Sequence, residues 1–218
     1  MKIGVFDSGV GGESVANAIK LAKPEYEIVY VQDRQNIPYG TKTRDQLLEF
    51  VTPLIEKLVS DGCQVIVIAC NTVTTNIISD LRRKFTVPLI GVEPMIGPAV
   101  EKTKSKTITV CATPATLASA RYQELKSLYA TGVEVIEPDC SNWAGMIEDN
   151  NVDQEHIRAI VEESLGKESD VFVLGCTHYH WIEDIVDEMT SDKAVVLQPE
   201  SAIIAQLERV IQGLEQPT

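Results

Sequence analysis

Short runs of β-branched and other apolar residues alternate with longer stretches of helical periodicity along the whole chain. The pattern predicts strands at 2–6, 28–32, 65–69, 89–92, 107–111, 133–137, 171–175 and 194–197. It predicts helices near 12–22, 42–60, 72–84, 115–130, 153–166, 181–190 and 199–213. Such alternation builds βαβ units around parallel sheets, so the expected fold class is α/β. Stop signals agree: Asp61-Gly62 closes one helix, with the glycine suited to a left-handed cap, and Pro24 stands just past another.

Sliding the chain on itself by 105 or 106 residues brings four strand ends into register. "GVFD" meets "VCAT", "IVYVQD" meets "VEVIEP", "VIVIACNT" meets "VFVLGCTH", and "VPLIGVEP" meets "KAVVLQPE". Residue identity between the halves is low, so the repeat is one of structure. We expect two pseudo-symmetric α/β lobes with mainly parallel sheets and flanking helices, 1–94 and 95–198. The periodic pattern breaks between them at "VEPMIGP". A last helix, within about 199–218, is expected to pack back on the first lobe. Ligands of open α/β sheets sit outside the carboxyl ends of the strands, so the strand ends of two facing lobes make one cleft.

A length of 218 residues with 44% hydrophobic side chains is enough for a sizeable core. The longest apolar runs fall short of the roughly 18 residues a membrane span needs, and Met1 leads directly into "KIGVFDSG" rather than a signal peptide. A soluble, cytoplasmic protein with no membrane partner is expected. The formal charge of −13 and scattered lysines and arginines argue against nucleic acid. Five cysteines form no CxxC pair, which speaks against a disulfide framework or a zinc knuckle.

Two of those cysteines carry the candidate chemistry. Cys70 and Cys176 each follow a buried strand and each precede hydrogen-bonding residues, on opposite walls of the expected cleft. A helix N-terminus beside a thiol lowers its pKa, so both are expected to be usable bases at neutral pH. One thiolate on each face of a planar carbanion inverts a carbon: one sulfur removes a proton and the other returns one to the opposite side. Asp7, ending the first strand, is placed to assist Cys70, and His178 follows Cys176 by two residues. Helix starts at "DSGVGG", "NT" (Asn71, Thr72), "TPAT" (Thr113 to Thr116) and "TH" (Thr177, His178) offer donors to a carboxylate. Cys63, Cys111 and Cys140 read as small buried hydrophobes. His156 reads as an exposed helix position, and His180 and Trp181 as packing residues. Cys176 and His178 are only two ligands and the other histidines lie elsewhere in the chain, so no metal is expected.

"FDSGVGG", "NIPYG", "ACNT" and "GCTHY" occur in the order seen in the glutamate racemases of the aspartate/glutamate racemase superfamily. The chain resembles them over nearly its whole length. The resemblance implies a cofactor-independent isomerase that interconverts L- and D-glutamate and supplies D-glutamate for peptidoglycan. It implies that Cys70 acts on the D-enantiomer and Cys176 on the L-enantiomer, with Asp7, His178 and Glu148 assisting. Ser8, Tyr39, Gly40, Asn71, Thr72, Thr116 and Thr177 align with substrate-contacting positions. The chain departs from the pattern in its shorter length, in "HYH" where "HYP" is usual at His180, and in "CNTVTT" for "CNTASA". Superfamily relatives use a similar thiol pair on aspartate, hydantoins or maleate. Three readings therefore stand at this point: a racemase of glutamate or a related substrate, a cysteine hydrolase using one thiol, and a catalytically silent binding protein. Small cleft enzymes of this class often dimerise, so a homodimer is also considered.

Overall fold

The computed structural model describes residues 1–215; positions 216–218 of the expected terminal segment lie outside the described residues. Its strands are β1 (Lys2–Asp7), β2 (Glu27–Gln32), β3 (Val65–Ile68), β4 (Leu89–Gly91), β5 (Thr107–Cys111), β6 (Glu134–Ile136), β7 (Val171–Leu174) and β8 (Val195–Leu197). They form two parallel sheets, β2-β1-β3-β4 and β6-β5-β7-β8, so the second repeats the order of the first. The register repeats as well: Ile3 pairs with Val65 in one sheet and Ile108 with Val171 in the other. The two-lobed α/β reading of the sequence therefore holds.

Side chains on a strand point alternately to opposite faces, and β3 shows the consequence. Val65 and Val67 enter a core with Val15 and Ile19 of α1 (Gly12–Ala22), whereas Ile66 and Ile68 face α2 (Arg44–Ser60) and α3 (Asn71–Lys84) through Leu47, Ile55, Val73 and Ile77. A sheet covered on both faces needs apolar residues on both, which is why "VIVI" is continuous rather than alternating. In the second sheet, Ile108, Val110, Val171 and Val173 pack with Ile96 and Ala99 of α4 (Ile96–Lys102) and Tyr122 of α6 (Ala120–Tyr129). Phe172 and Leu174 face Trp143 of α7 (Trp143–Glu148), Ile157 of α8 (Gln154–Gly166) and Val186 of α9 (Glu183–Thr190).

The last helix, α10 (Glu200–Glu215), follows β8 of the second sheet yet packs on the first. Ile203, Leu207 and Ile211, spaced one turn apart, share a core with Ile3, Val5 and Val65. Burying each such side chain contributes about 1.5–3 kcal/mol, enough to bring the chain back across.

Three local expectations are corrected. The segment read as one helix over 115–130 is two: α5 (Pro114–Leu117) and α6, because the Ser119 hydroxyl accepts from the Tyr122 N–H and starts a new helix. The aperiodic "VEPMIGP" stretch runs into helix α4, where Pro98 falls in the first turn and loses no intrahelical bond. Helix α7 had no predicted counterpart: one short turn and a half containing Gly145 carries too little periodicity to read.

Candidate active site

The carboxyl ends of both sheets open onto one cavity of about 260 Å³. Nine of the twelve residues to which the resemblance gives catalytic or substrate-contacting roles line it: Ser8, Tyr39, Gly40, Cys70, Asn71 and Thr72 from the first half of the chain, and Glu148, Cys176 and His178 from the second. Asp7, Thr116 and Thr177 do not line it; they are fully buried behind its wall.

On the first wall, Cys70 stands where β3 gives way to α3, and its sulfur is 3.5 Å from Ser8 Oγ. Asp7 does not hydrogen-bond the thiol. Its carboxylate closes a ring instead, accepting from the N–H groups of Gly9 (3.2 Å) and Gly12 (3.0 Å) and from Thr177 Oγ1 (3.1 Å). Burial raises the Asp7 pKa above the ordinary carboxylate range, against the opposing charge of His178 and those hydrogen bonds. The expectation that a helix N-terminus lowers the Cys70 pKa is overturned. Burial, with the nearby Asp7 carboxylate as the next contributor, pushes the thiol up to about 12, and the helix start and Ser8 offset only part of that.

The second wall is built differently. His178 lies in a 3₁₀ turn, Thr177–Ile182, directly after Cys176. Its Nδ1 is 3.8 Å from the Cys176 sulfur and its Nε2 is 2.7 Å from Glu148 Oε1. Burial alone would lower the His178 pKa; the hydrogen bonds to Cys176 and Glu148, with the Asp7 charge, outweigh it and push the ring up to about 10. Glu148 is held down to about 2, chiefly by its bond to His178. The imidazolium therefore donates from both nitrogens, one toward carboxylate and one toward sulfur.

Glu148 also joins the lobes. The same Oε1 accepts from the Val10 N–H at 2.9 Å, and Arg34 reaches Oε2 at 3.4 Å. Only glycine allows this approach. A Cβ at Gly9 would overlap Glu148 and stand 2.7 Å from His178 Nε2, and a Cβ at Gly11 would stand 2.5 Å from the His178 backbone nitrogen. The "DSGVGG" motif is thus a lobe contact as well as a helix start. Glu148 itself reads in sequence as part of an acidic turn; burial of Trp143, packed edge-on 5.1 Å from Tyr179, anchors α7 and turns Glu148 inward.

The rest of the wall mixes apolar residues, Ile37, Pro38, Pro114 and Ala144, with hydrogen-bonded polar ones. Tyr39 donates its hydroxyl to Asp33 at 2.7 Å, and Asn36 donates to the same carboxylate, which fixes the "NIPYG" loop. Asn71 donates Nδ2 to the Val92 carbonyl, leaving its buried Oδ1 without a partner among the described residues. Thr72, Thr113 and Thr116 form a hydroxyl triangle across the lobes, with oxygens 2.9 to 3.4 Å apart. Among the described residues, no group of three His, Cys, Asp or Glu side chains is placed to hold a metal ion.

A family described as Asp/Glu/Hydantoin racemase matches residues 13–207. The chain is 35% identical to the glutamate racemase of Ralstonia pickettii, over 96% of this chain and 76% of that protein. It is 36% identical to the glutamate racemase of Clostridium botulinum, over 97% and 84%. The chain belongs to the Asp/Glu/Hydantoin racemase family. Its fold superposes on Escherichia coli glutamate racemase, solved in complex with L-glutamate, with a TM-score of 0.90 at 27% identity, covering 97% of this chain and 82% of that one.

For this family member, four residues around the cavity were not singled out as site residues in the sequence. Asp33 precedes the "NIPYG" motif, and its role lies in the Tyr39 hydroxyl it holds through space. Arg34 and Val10 act on Glu148 across the lobe boundary, a relation no local pattern carries. Thr113 reads in the sequence only as part of a helix start that offers donors; its hydroxyl bridges to Thr72. One minor reading changes, in that His156 is half-buried rather than exposed; Trp181, read as packing against a helix, is 55% exposed and donates its indole N–H to the Val10 carbonyl at 3.4 Å.

Proposed function

We propose that this protein interconverts L- and D-glutamate in the cytoplasm, without a cofactor, by proton transfer between two opposed thiols, and supplies D-glutamate for peptidoglycan. The observation that carries the reading is that Cys70 and Cys176, each following the equivalent strand of an equivalent sheet, line one small cavity. Cys176, beside His178, takes the α-proton of the L-enantiomer: the C–H bond breaks, an S–H bond forms, and the electron pair stays on the α-carbon. Cys70, which rests as a thiol, gives its proton to the opposite face. In the reverse direction the two exchange roles. Asn71 Oδ1 is an acceptor suited to the substrate ammonium, and the Thr72 and Thr113 hydroxyls with the N–H groups at the start of α3 suit its carboxylates. The lobes are taken as 1–94, joined by α10, and 95–198, with the cleft between them. The names of the relatives favour glutamate over aspartate. A homodimer is part of the proposal and is checked by light scattering.

The test is proton NMR of L-glutamate in deuterated water, with L-aspartate in parallel. Loss of the glutamate α-proton signal is expected. Exchange with aspartate alone would keep the thiol pair and overturn the substrate; exchange with neither would overturn the reading.

A further inference from the structure

We propose that His180 is a positioning residue: it clamps the catalytic turn of the second lobe to α1 and α10 and thereby sets where His178 stands. The side chain is 3% exposed, and its Nδ1 lies 3.1 Å from Ser14 Oγ and 2.8 Å from Glu200 Oε1. The single Ser14 hydroxyl hydrogen is directed to the Gly11 carbonyl, 3.0 Å away. The ring Nδ1–H is therefore the donor, shared between the serine oxygen and the carboxylate. Its Nε2 is buried without a partner among the described residues, so every polar contact of this ring serves the bridge.

The placement matters because of what each partner carries. His180 belongs to the same 3₁₀ turn as His178. Ser14 lies in the first turn of α1, the helix whose leading N–H, at Gly12, holds Asp7. Glu200 is the first residue of α10, which packs on the first sheet. One ring thus ties the turn bearing the second half-site to two helices of the other lobe. The resembling motif has proline here, which stiffens its own backbone but has no side-chain donor to reach another element. In this chain the turn is held from outside.

This inference rests on the racemase reading, and the test separates the two. Glu200→Ala, which removes the charged acceptor and leaves the ring only the Ser14 oxygen, should slow α-proton exchange from L-glutamate by about ten- to a hundredfold by shifting His178, while exchange from D-glutamate at the Cys70 face stays unchanged. Glu200→Gln, which keeps an acceptor oxygen, should restore the L-face rate. Equal slowing on both faces, or none, would overturn the proposal, since a merely structural role moves both together. Imidazole nitrogen NMR gives a second readout that needs no substrate: the His178 signals should move in Glu200→Ala and return in Glu200→Gln, and unmoved signals would also overturn it. A wild-type protein silent on both glutamate and aspartate whose His178 signals still respond would uphold the clamp and sink the racemase reading.

Discussion

The two half-sites sit at equivalent places in equivalent sheets and are electrostatically unlike. Cys70 is backed by a hydroxyl and a buried carboxylate ring, and its thiol is pushed up to about 12. Cys176 has a cationic ring beside it, held in place by Glu148. Duplicating a fold therefore duplicated the position of the sulfur and not its surroundings. For a reaction that removes a proton from one face and adds one to the other, the difference is useful: one face presents a proton donor at rest and the other a partner for negative charge on sulfur.

The largest expected effect comes from removing either sulfur. Cys70→Ser and Cys176→Ser should each lower racemisation by about 10²–10⁴-fold, since a serine hydroxyl is a far weaker acid than a thiol and neither ionises to take the proton nor readily gives one up. If the walls are as unlike as described, Cys176→Ser also abolishes α-proton exchange from L-glutamate, while Cys70→Ser retains part of it. Stopped racemisation with identical exchange losses in both variants would erase the distinction.

Next is Glu148→Ala. Breaking a buried ion pair by deleting one partner costs about 3–5 kcal/mol, and we expect the lower end because His178 can release its proton. The pH dependence sharpens this. His178 rises from its ordinary 6.5 to about 10, so its contribution to stability is full below 6.5 and fades as pH climbs through 10. Glu148 falls from 4.5 to about 2, so its contribution is present above 4.5 and fades as pH drops through 2. Denaturation midpoints of wild type and variant should therefore differ most between 4.5 and 6.5 and converge toward either extreme. A constant difference across pH would mean that the pair is not what α7 contributes.

The smallest effect is a rate of labelling. Only the thiolate alkylates, so Cys70 should react slowly with iodoacetamide at neutral pH and speed up steadily as pH rises toward 12. Mass spectrometry of the labelled peptide reads this directly. Rapid labelling at pH 7 would return Cys70 to the low-pKa class that its helix position suggested.

Much of this molecule follows from the sequence alone. Period-2 and continuous apolar runs located the strands of both sheets, and strand-end spacing exposed the duplication, because backbone pleat and helix pitch impose their periods on the residues themselves. Strand ends in turn named both sulfurs, since open parallel sheets place ligands there. What the tertiary structure decided is everything that depends on distance through space. It turned Glu148 onto His178, withdrew Asp7 and Thr177 behind the wall, and brought Ser14, His180 and Glu200 to one point. It also reversed the expected shift at Cys70. A sequence shows the helix start that would lower a thiol's pKa, but desolvation is set by the whole enclosing shell, and here the shell prevails.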